Sequence, residues 1–236
     1  MKKKNLIETT EQLQDGQEEY YIFHLNENVK RMAVTFRNRY GIELSGDLYT
    51  AQDLDTTASY PALVIGPPYG GVKEQGPGVY ANEMAQRGFV VLTFDPSFNG
   101  ESGGEPRHAS SPDIFTEDFS SGVDYLGTLD YVDRQRIGAI GICGSGGFAL
   151  AAAQVDTRIK AVATASLFDV SALGNGLNTE AWFAGVDPVA QQRWADVDNG
   201  TPEYIPTYPE TPTEDIPEEL ESIWAEFYSF YGLERG

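Results

Sequence analysis

The hydrophobic positions of this chain change rhythm once, near residue 60. Before it, "RMAVTF" and "IELSGDLYT" alternate apolar and polar residues on either side of "RNRYG". This is the period-two pattern of two half-exposed strands joined as a hairpin. At "PALVIG" (61–66) the alternation gives way to an unbroken apolar run, and "FVVLTFD" (89–95), "RIGAIGI" (136–142) and "IKAVATASL" (159–167) repeat that pattern. Such runs predict strands buried on both faces. Between them lie helical stretches: "VYANEMAQRG", closed by Gly88; a helix opened by Pro112 behind Ser111 as N-cap and ending near Leu129; and "GFALAAAQV". Strands alternating with helices through short turns predict crossover units, hence an α/β fold with a mostly parallel sheet flanked by helices.

Three segments follow from these patterns. Residues 1–28 are polar and predict a loosely held arm or short helix. Residues 29–170 hold the strands. Residues 171–236 are of another character: weakly helical around "DPVAQQRWADVD", then the Pro- and acid-rich loop "GTPEYIPTYPETPTEDIPEE", then an amphipathic helix. On that last helix Trp224, Phe227, Tyr228 and Tyr231 fall at helical spacing, a stripe expected to pack. No internal repeat is visible.

Composition narrows the partners. Thirty-six acidic residues against sixteen basic give a formal charge of −20 over 236 residues. Such a surface repels phosphate backbones and anionic lipid, so neither nucleic acid nor a membrane surface is an expected partner. The basic start "MKKK" runs into polar and acidic residues rather than an apolar signal core, and no window has the roughly 18 apolar residues of a membrane span. The expected compartment is the cytoplasm. The single cysteine, Cys143, excludes an intrachain disulfide.

The chemistry concentrates in "GICGSGG", where the third buried run turns into a helix. A nucleophile elbow needs this sharp strand-to-helix turn, with tiny residues around the nucleophile so that strand and helix can approach. It also places a backbone N–H near a helix N-terminus, ready to meet a developing oxyanion. The spacing fits neither a phosphate-binding loop nor a dinucleotide fingerprint. Two candidate nucleophiles stand here, Cys143 and Ser145.

The stretches "PALVIGPPYGGVKEQ", "MAQRGFVVLTFDPSFNGESGGEPR", "DYLGTLDYVDRQRIGAIGICGSGG" and "RIKAVATAS" together resemble the α/β-hydrolase superfamily, and within it the dienelactone-hydrolase-like branch. The resemblance covers most of residues 30–170 in order and implies the α/β-hydrolase fold. It also implies hydrolysis of a carboxylic ester, lactone or related acyl bond of a small molecule, without metal or organic cofactor. In the family, "RIG" is followed by two apolar residues, Gly, any residue and the nucleophile. That count favours Cys143, with Ser145 standing where the family has Gly. The other register puts Ser145 at the apex, with Cys143 two before it and Gly147 two after. The implied oxyanion donors are the N–H of Gly144 and one from Tyr69 or Gly70. Lys73 and Glu74 of "GVKEQ" are read as a surface ion pair with no chemistry.

An elbow nucleophile needs a base, usually a His oriented by an acid. The resemblance implies a His on a loop after the last strand, yet the chain holds only His24 and His108. His108 follows a parallel strand and so lies at the elbow's edge of the sheet. His24 sits in the polar N-terminal segment. Asp169, just past the fourth apolar run, is a candidate acid or a helix cap in "FDVSA". Compared with the family, the last strands are missing and the chain looks cut short. "IKAVATAS" is then an open edge, which predicts self-association or a complementing chain there. A non-catalytic scaffold is the alternative.

Overall fold

The computed structural model describes residues 20–169, 178–204 and 222–231. The chain forms two compact units, divided in sequence between Phe168 and Asp169. In the first unit β1 (Val29–Arg37) and β2 (Glu43–Ala51) make the antiparallel hairpin, Arg37 opposite Glu43. Its turn is organised by Asn38, whose side-chain oxygen accepts from the N–H of Tyr40 and Ile42, while Gly41 takes φ 82°. The four apolar runs become β3 (Tyr60–Gly66), β4 (Val90–Phe94), β5 (Val132–Ile142) and β6 (Ile159–Ala165). Among the described residues the sheet runs β1-β2-β4-β3-β5-β6. The joins from β1 through β4 are antiparallel and those from β4 through β6 parallel.

Residue parity explains why the central strands are apolar throughout. Leu63 and Ile65 of β3 and Val91 of β4 cluster with Tyr49, Ile140 and with Ala81 and Ala85 of α1 (Gly76–Ala85). Their neighbours Val64 and Leu92 point the other way, onto Gly122 of α2 (Pro112–Leu126). Phe119 of α2 meets Phe94 edge-on, and Phe148 of α3 (Gly144–Val155) meets Phe115. Both faces of these central strands are covered, and each fully buried aliphatic or aromatic side chain contributes about 1.5–3 kcal/mol. The fourth apolar run departs from the expected burial: β6 stands last in the sheet order and is mostly exposed, only Ile159 being buried.

Local details depart from the sequence reading. Helix α1 starts at Gly76, earlier than the apolar spacing indicates, because Pro77 supplies a helical φ in its first turn. Ser111 occupies the N-cap position of α2, but its hydroxyl makes no capping bond. Residues 20–28 are not a loose arm. The Phe23 ring lies 2.4 Å from where a Cβ on Gly78 would stand, Asn26 N–H donates to Asn82 Oδ1, and the Tyr21 hydroxyl donates to buried Asp47. Residues 1–19 of the expected arm lie outside the described residues.

In the second unit α4 (Thr179–Asn199) is capped by the Asn178 side chain and closed by left-handed Gly200. It carries no buried residue, and Trp182, Phe183 and Trp194 are exposed. In α5 (Ser222–Tyr231) the Tyr231 ring touches Phe227 and Phe230. The Trp224 side chain and most of the Pro-rich loop lie outside the described residues.

Candidate active site

β5 ends at Ile142 and α3 starts at Gly144, so Cys143 alone makes the corner. Its φ of 52° and ψ of −116° lie where a side chain is strained, at a cost of about 1–3 kcal/mol that the surroundings must hold. They hold it with hydrogen bonds: Cys143 N–H donates to Ala165 C=O at 2.9 Å, and Cys143 C=O accepts from the N–H of Gly146 and Phe168, both at 3.0 Å. Glycines make the closeness feasible. A Cβ on Gly141 would stand 2.1 Å from the Ser145 carbonyl oxygen, and one on Gly146 would meet Leu167 at 3.1 Å.

The two candidate nucleophiles end up in different surroundings. Cys143, at the apex, is partly open. Ser145 is 3% exposed, in the first turn of α3, its Oγ only 2.8 Å from where a Cβ on Gly66 would stand.

The segment after β3 lies against the corner. Gly71 N–H donates to Pro68 C=O at 2.8 Å and Gly70 takes φ 81°, the geometry of a type II turn with Tyr69 at its second position. Tyr69 N lies 3.5 Å, and its Cβ 3.0 Å, from where a Cβ on Gly144 would stand. The Tyr69 amide and the N-terminal turn of α3, whose first N–H groups lack helical partners, are therefore neighbours. The fold brings together Cys143, Gly144 and Tyr69, with Gly70 forming the turn.

The proposed proton carriers are not joined to them. His108 is exposed, at φ 57°, its N–H bonded to Phe98 C=O. Among the described residues no hydrogen bond links His108 or His24 to Cys143 or Ser145. Exposed His24 accepts a hydrogen bond at its carbonyl from Asn82 Nδ2. Asp169 is exposed at the start of the second unit. The helix cap read in "FDVSA" runs into residues 170–177, outside the described residues.

Lys73 and Glu74 correct the sequence reading: they are not a surface pair. Lys73 is 2% exposed, and its ammonium donates to Glu74 at 2.5 Å, Glu101 at 2.8 Å and Asp95 at 3.0 Å. These three carboxylates present oxygens within 4.8 Å of one another, the grouping a metal ion would need, and the ammonium already bridges them. Burial alone would lower the Lys73 pKa, but the charges of Asp95, Glu74, Asp47 and Glu101 outweigh it and hold the group well above its ordinary value. Burial, followed by the charge of Asp95, pushes Glu74 up to about 7. Asp47 is raised as well, chiefly by burial; it takes a hydrogen bond from Tyr21, whose ring the Arg31 guanidinium covers at 3.3 Å. Adjacent opposite charges on a loop gave no hint of this burial. The usable signal was Asp95, a carboxylate directly after five buried strand residues.

Residues 41–202 match the model of the X-Pro dipeptidyl-peptidase (S15) family. The chain belongs to that family. Among its relatives is the uncharacterized protein PA2218 of Pseudomonas aeruginosa, 50% identical over 207 residues, covering 86% of this chain and 56% of that protein. The crystal structure of PA2218 superimposes with a TM-score of 0.79 at 44% identity, over 96% of this chain and 70% of that one. The thiohydrolase aneE of Aspergillus aculeatus is 34% identical over 137 residues, 58% of this chain and 42% of that protein. The chain thus spans about half the length of these two relatives. The α/β hydrolase GrgF of a Penicillium species matches at TM-score 0.64 and 26% identity, over 77% of this chain and 60% of that one. The S15-family chain therefore has the α/β-hydrolase fold. Among its described residues no helix is long and apolar enough to cross a membrane.

Proposed function

We propose that this S15-family chain carries the nucleophile and oxyanion site of an acyl hydrolase acting on a small-molecule ester, lactone or thioester, with the cysteine chemistry of the dienelactone-hydrolase-like branch. The observation that carries the reading is Cys143 alone at a strained strand-to-helix corner, partly open, with Gly144 packed against the Tyr69 amide. The thiohydrolase name of one relative adds thioesters to the substrate class.

In the proposed reaction the Cys143 sulfur, its proton removed, adds to the substrate carbonyl. The charge that develops on the carbonyl oxygen is met by the N–H groups of Gly144 and Tyr69, an interaction worth about 3–4 kcal/mol per donor in such sites. The bond to the leaving alcohol or thiol then breaks, that group departs with a proton, and water hydrolyses the acyl-cysteine. Turnover requires a general base. We assign it to a His-bearing polypeptide segment that docks along β6, because neither histidine of this sequence bonds to Cys143 and β6 is exposed along most of its length.

The test is intact-mass spectrometry after exposure to p-nitrophenyl acetate. One acetyl group on Cys143, absent in Cys143→Ala and retained in Ser145→Ala, supports the reading. Label on Ser145 refutes the nucleophile assignment, and no label on any form leaves the scaffold alternative.

A further inference from the structure

The buried ammonium of Lys73 lies four residues beyond Tyr69 and ties two loops at the carboxyl edge of the sheet. The Lys73 backbone N–H donates to Asp95 Oδ1 at 2.7 Å while Lys73 Nζ donates to Asp95 Oδ2 at 3.0 Å. Asp95 Oδ2 also accepts from Glu101 N–H at 3.0 Å, and the Glu101 side chain returns to Lys73 Nζ. Asp95 is anchored in turn: its N–H donates to Ser45 C=O, and its carbonyl accepts from the Ser102 hydroxyl. Between this anchor and the corner, Val72 and Gln75 close a turn, Gln75 N–H to Val72 C=O and Val72 N–H to Gln75 Oε1. The Pro68–Gly71 turn that presents the Tyr69 amide is continuous with it.

Resting on the hydrolase reading above, we propose that Lys73 is a positioning residue for the oxyanion site: its two-point bond to Asp95 sets where the Tyr69 N–H stands opposite Gly144. Without the ammonium, three carboxylates with oxygens within 4.8 Å of one another must take up protons or move apart, and either change removes the tie that holds the loop carrying Tyr69. A shift of about 1 Å in a catalytic group costs on the order of a hundredfold in rate.

The experiment compares two reactions of the same sulfur. Acylation by p-nitrophenyl acetate needs the oxyanion donors, whereas alkylation by iodoacetamide is a displacement at saturated carbon that does not. In Lys73→Met, acylation of Cys143 falls between tenfold and a hundredfold in its maximal rate, with the half-saturating ester concentration little changed, while alkylation stays within twofold of wild type. Glu101→Gln removes a single partner through a half-exposed side chain and guards against a misfolded Lys73 variant. It lowers acylation severalfold, again with alkylation unchanged. Acylation retained in both variants, or acylation and alkylation falling together, overturns the assignment of Lys73. A wild-type chain whose cysteine is alkylated but never acylated overturns the hydrolase reading itself, and this proposal with it.

Discussion

Gly141→Ala probes the corner at the point where strand and helix are closest. A methyl there would stand 2.1 Å from the carbonyl oxygen of Ser145, 2.4 Å from its carbonyl carbon and 2.6 Å from Gly146 Cα. All three are backbone atoms in the first turn of α3, so no rotamer change relieves the clash. Gly141 does not take a left-handed φ, and the objection is wholly steric. Ordinary contact requires α3 to retreat from β5 by roughly 1 Å, which close-packed interiors do not absorb. That retreat disturbs the bonds from Cys143 C=O to Gly146 and Phe168, each worth about 1 kcal/mol, and adds an overpacking strain of about 1–3 kcal/mol. The expected loss is about 3–5 kcal/mol, a large share of the 5–15 kcal/mol typical of a domain.

The matched control is Gly147→Ala, in the same helix. Its methyl would meet only the Phe168 carbonyl oxygen at 3.8 Å, and the helix-propensity gain reaches about 1 kcal/mol. The assay is urea unfolding followed by far-UV circular dichroism. Tryptophan fluorescence would report the wrong unit, since Trp182, Trp194 and Trp224 all follow residue 168. A Gly141→Ala midpoint corresponding to less than about 1 kcal/mol of loss, or a Gly147→Ala variant equally damaged, refutes the steric account.

Three further outcomes are expected. Burial pushes the Asp118 carboxyl up to about 6 against the hydrogen bonds it accepts from Ser97 and Asn38. The folded chain therefore holds that proton more tightly than the unfolded one. The stabilisation is full below about pH 4 and lost as pH rises through 6, on the order of 1–3 kcal/mol. In urea midpoints across that window Asp118→Asn flattens the slope, leaving the part due to Glu74 and Asp47, which burial also raises. Phe119→Ala removes a 1%-exposed ring from against Phe94 and costs about 3–5 kcal/mol in the same titration. Gly185→Ala lies in α4 with nothing within 4 Å of the new methyl, and it raises helix stability by up to about 1 kcal/mol, read as a later loss of ellipticity on heating.

What was legible in the sequence was what repeats. The hairpin and the four apolar strands could be read because alternation and unbroken apolar runs extend over five residues or more, so one ambiguous position changes nothing. The burial expected of the fourth, β6, did not follow, since an apolar run does not say what covers it. "GICGSGG" could be read as a corner because Gly141, Gly144 and Gly146 answer a steric need that few other motifs share. The Lys73 cluster was not legible: its partners Asp95 and Glu101 lie 22 and 28 residues away, and nothing in the loop's composition distinguishes a buried Lys from a solvated one. The anchoring of residues 20–28 was hidden for the same reason. Their hydrophobes, Tyr21 and Phe23, are too sparse for a periodic signal, and what fixes them is contact with Asp47 and Gly78.

The direction of the strands ties these features to one another. Four parallel strands send their carboxyl ends to one edge, where an open α/β sheet gathers its binding groups. Tyr69 and Lys73 follow β3, Asp95 and Glu101 follow β4, Cys143 follows β5, and Ser166 to Asp169 follow β6. The proposed brace, built from the first two loops, can therefore act on the proposed nucleophile carried by the third without crossing the core. The fourth loop is already engaged, since Ala165 and Phe168 hold the two backbone polar groups of Cys143. Strain at the corner is thus balanced by the least covered strand of the sheet, β6, whose residues are mostly exposed. In the proposal above, a polypeptide segment that pairs with β6 therefore acts on Cys143 through the two bonds that β6 and the residues after it already make.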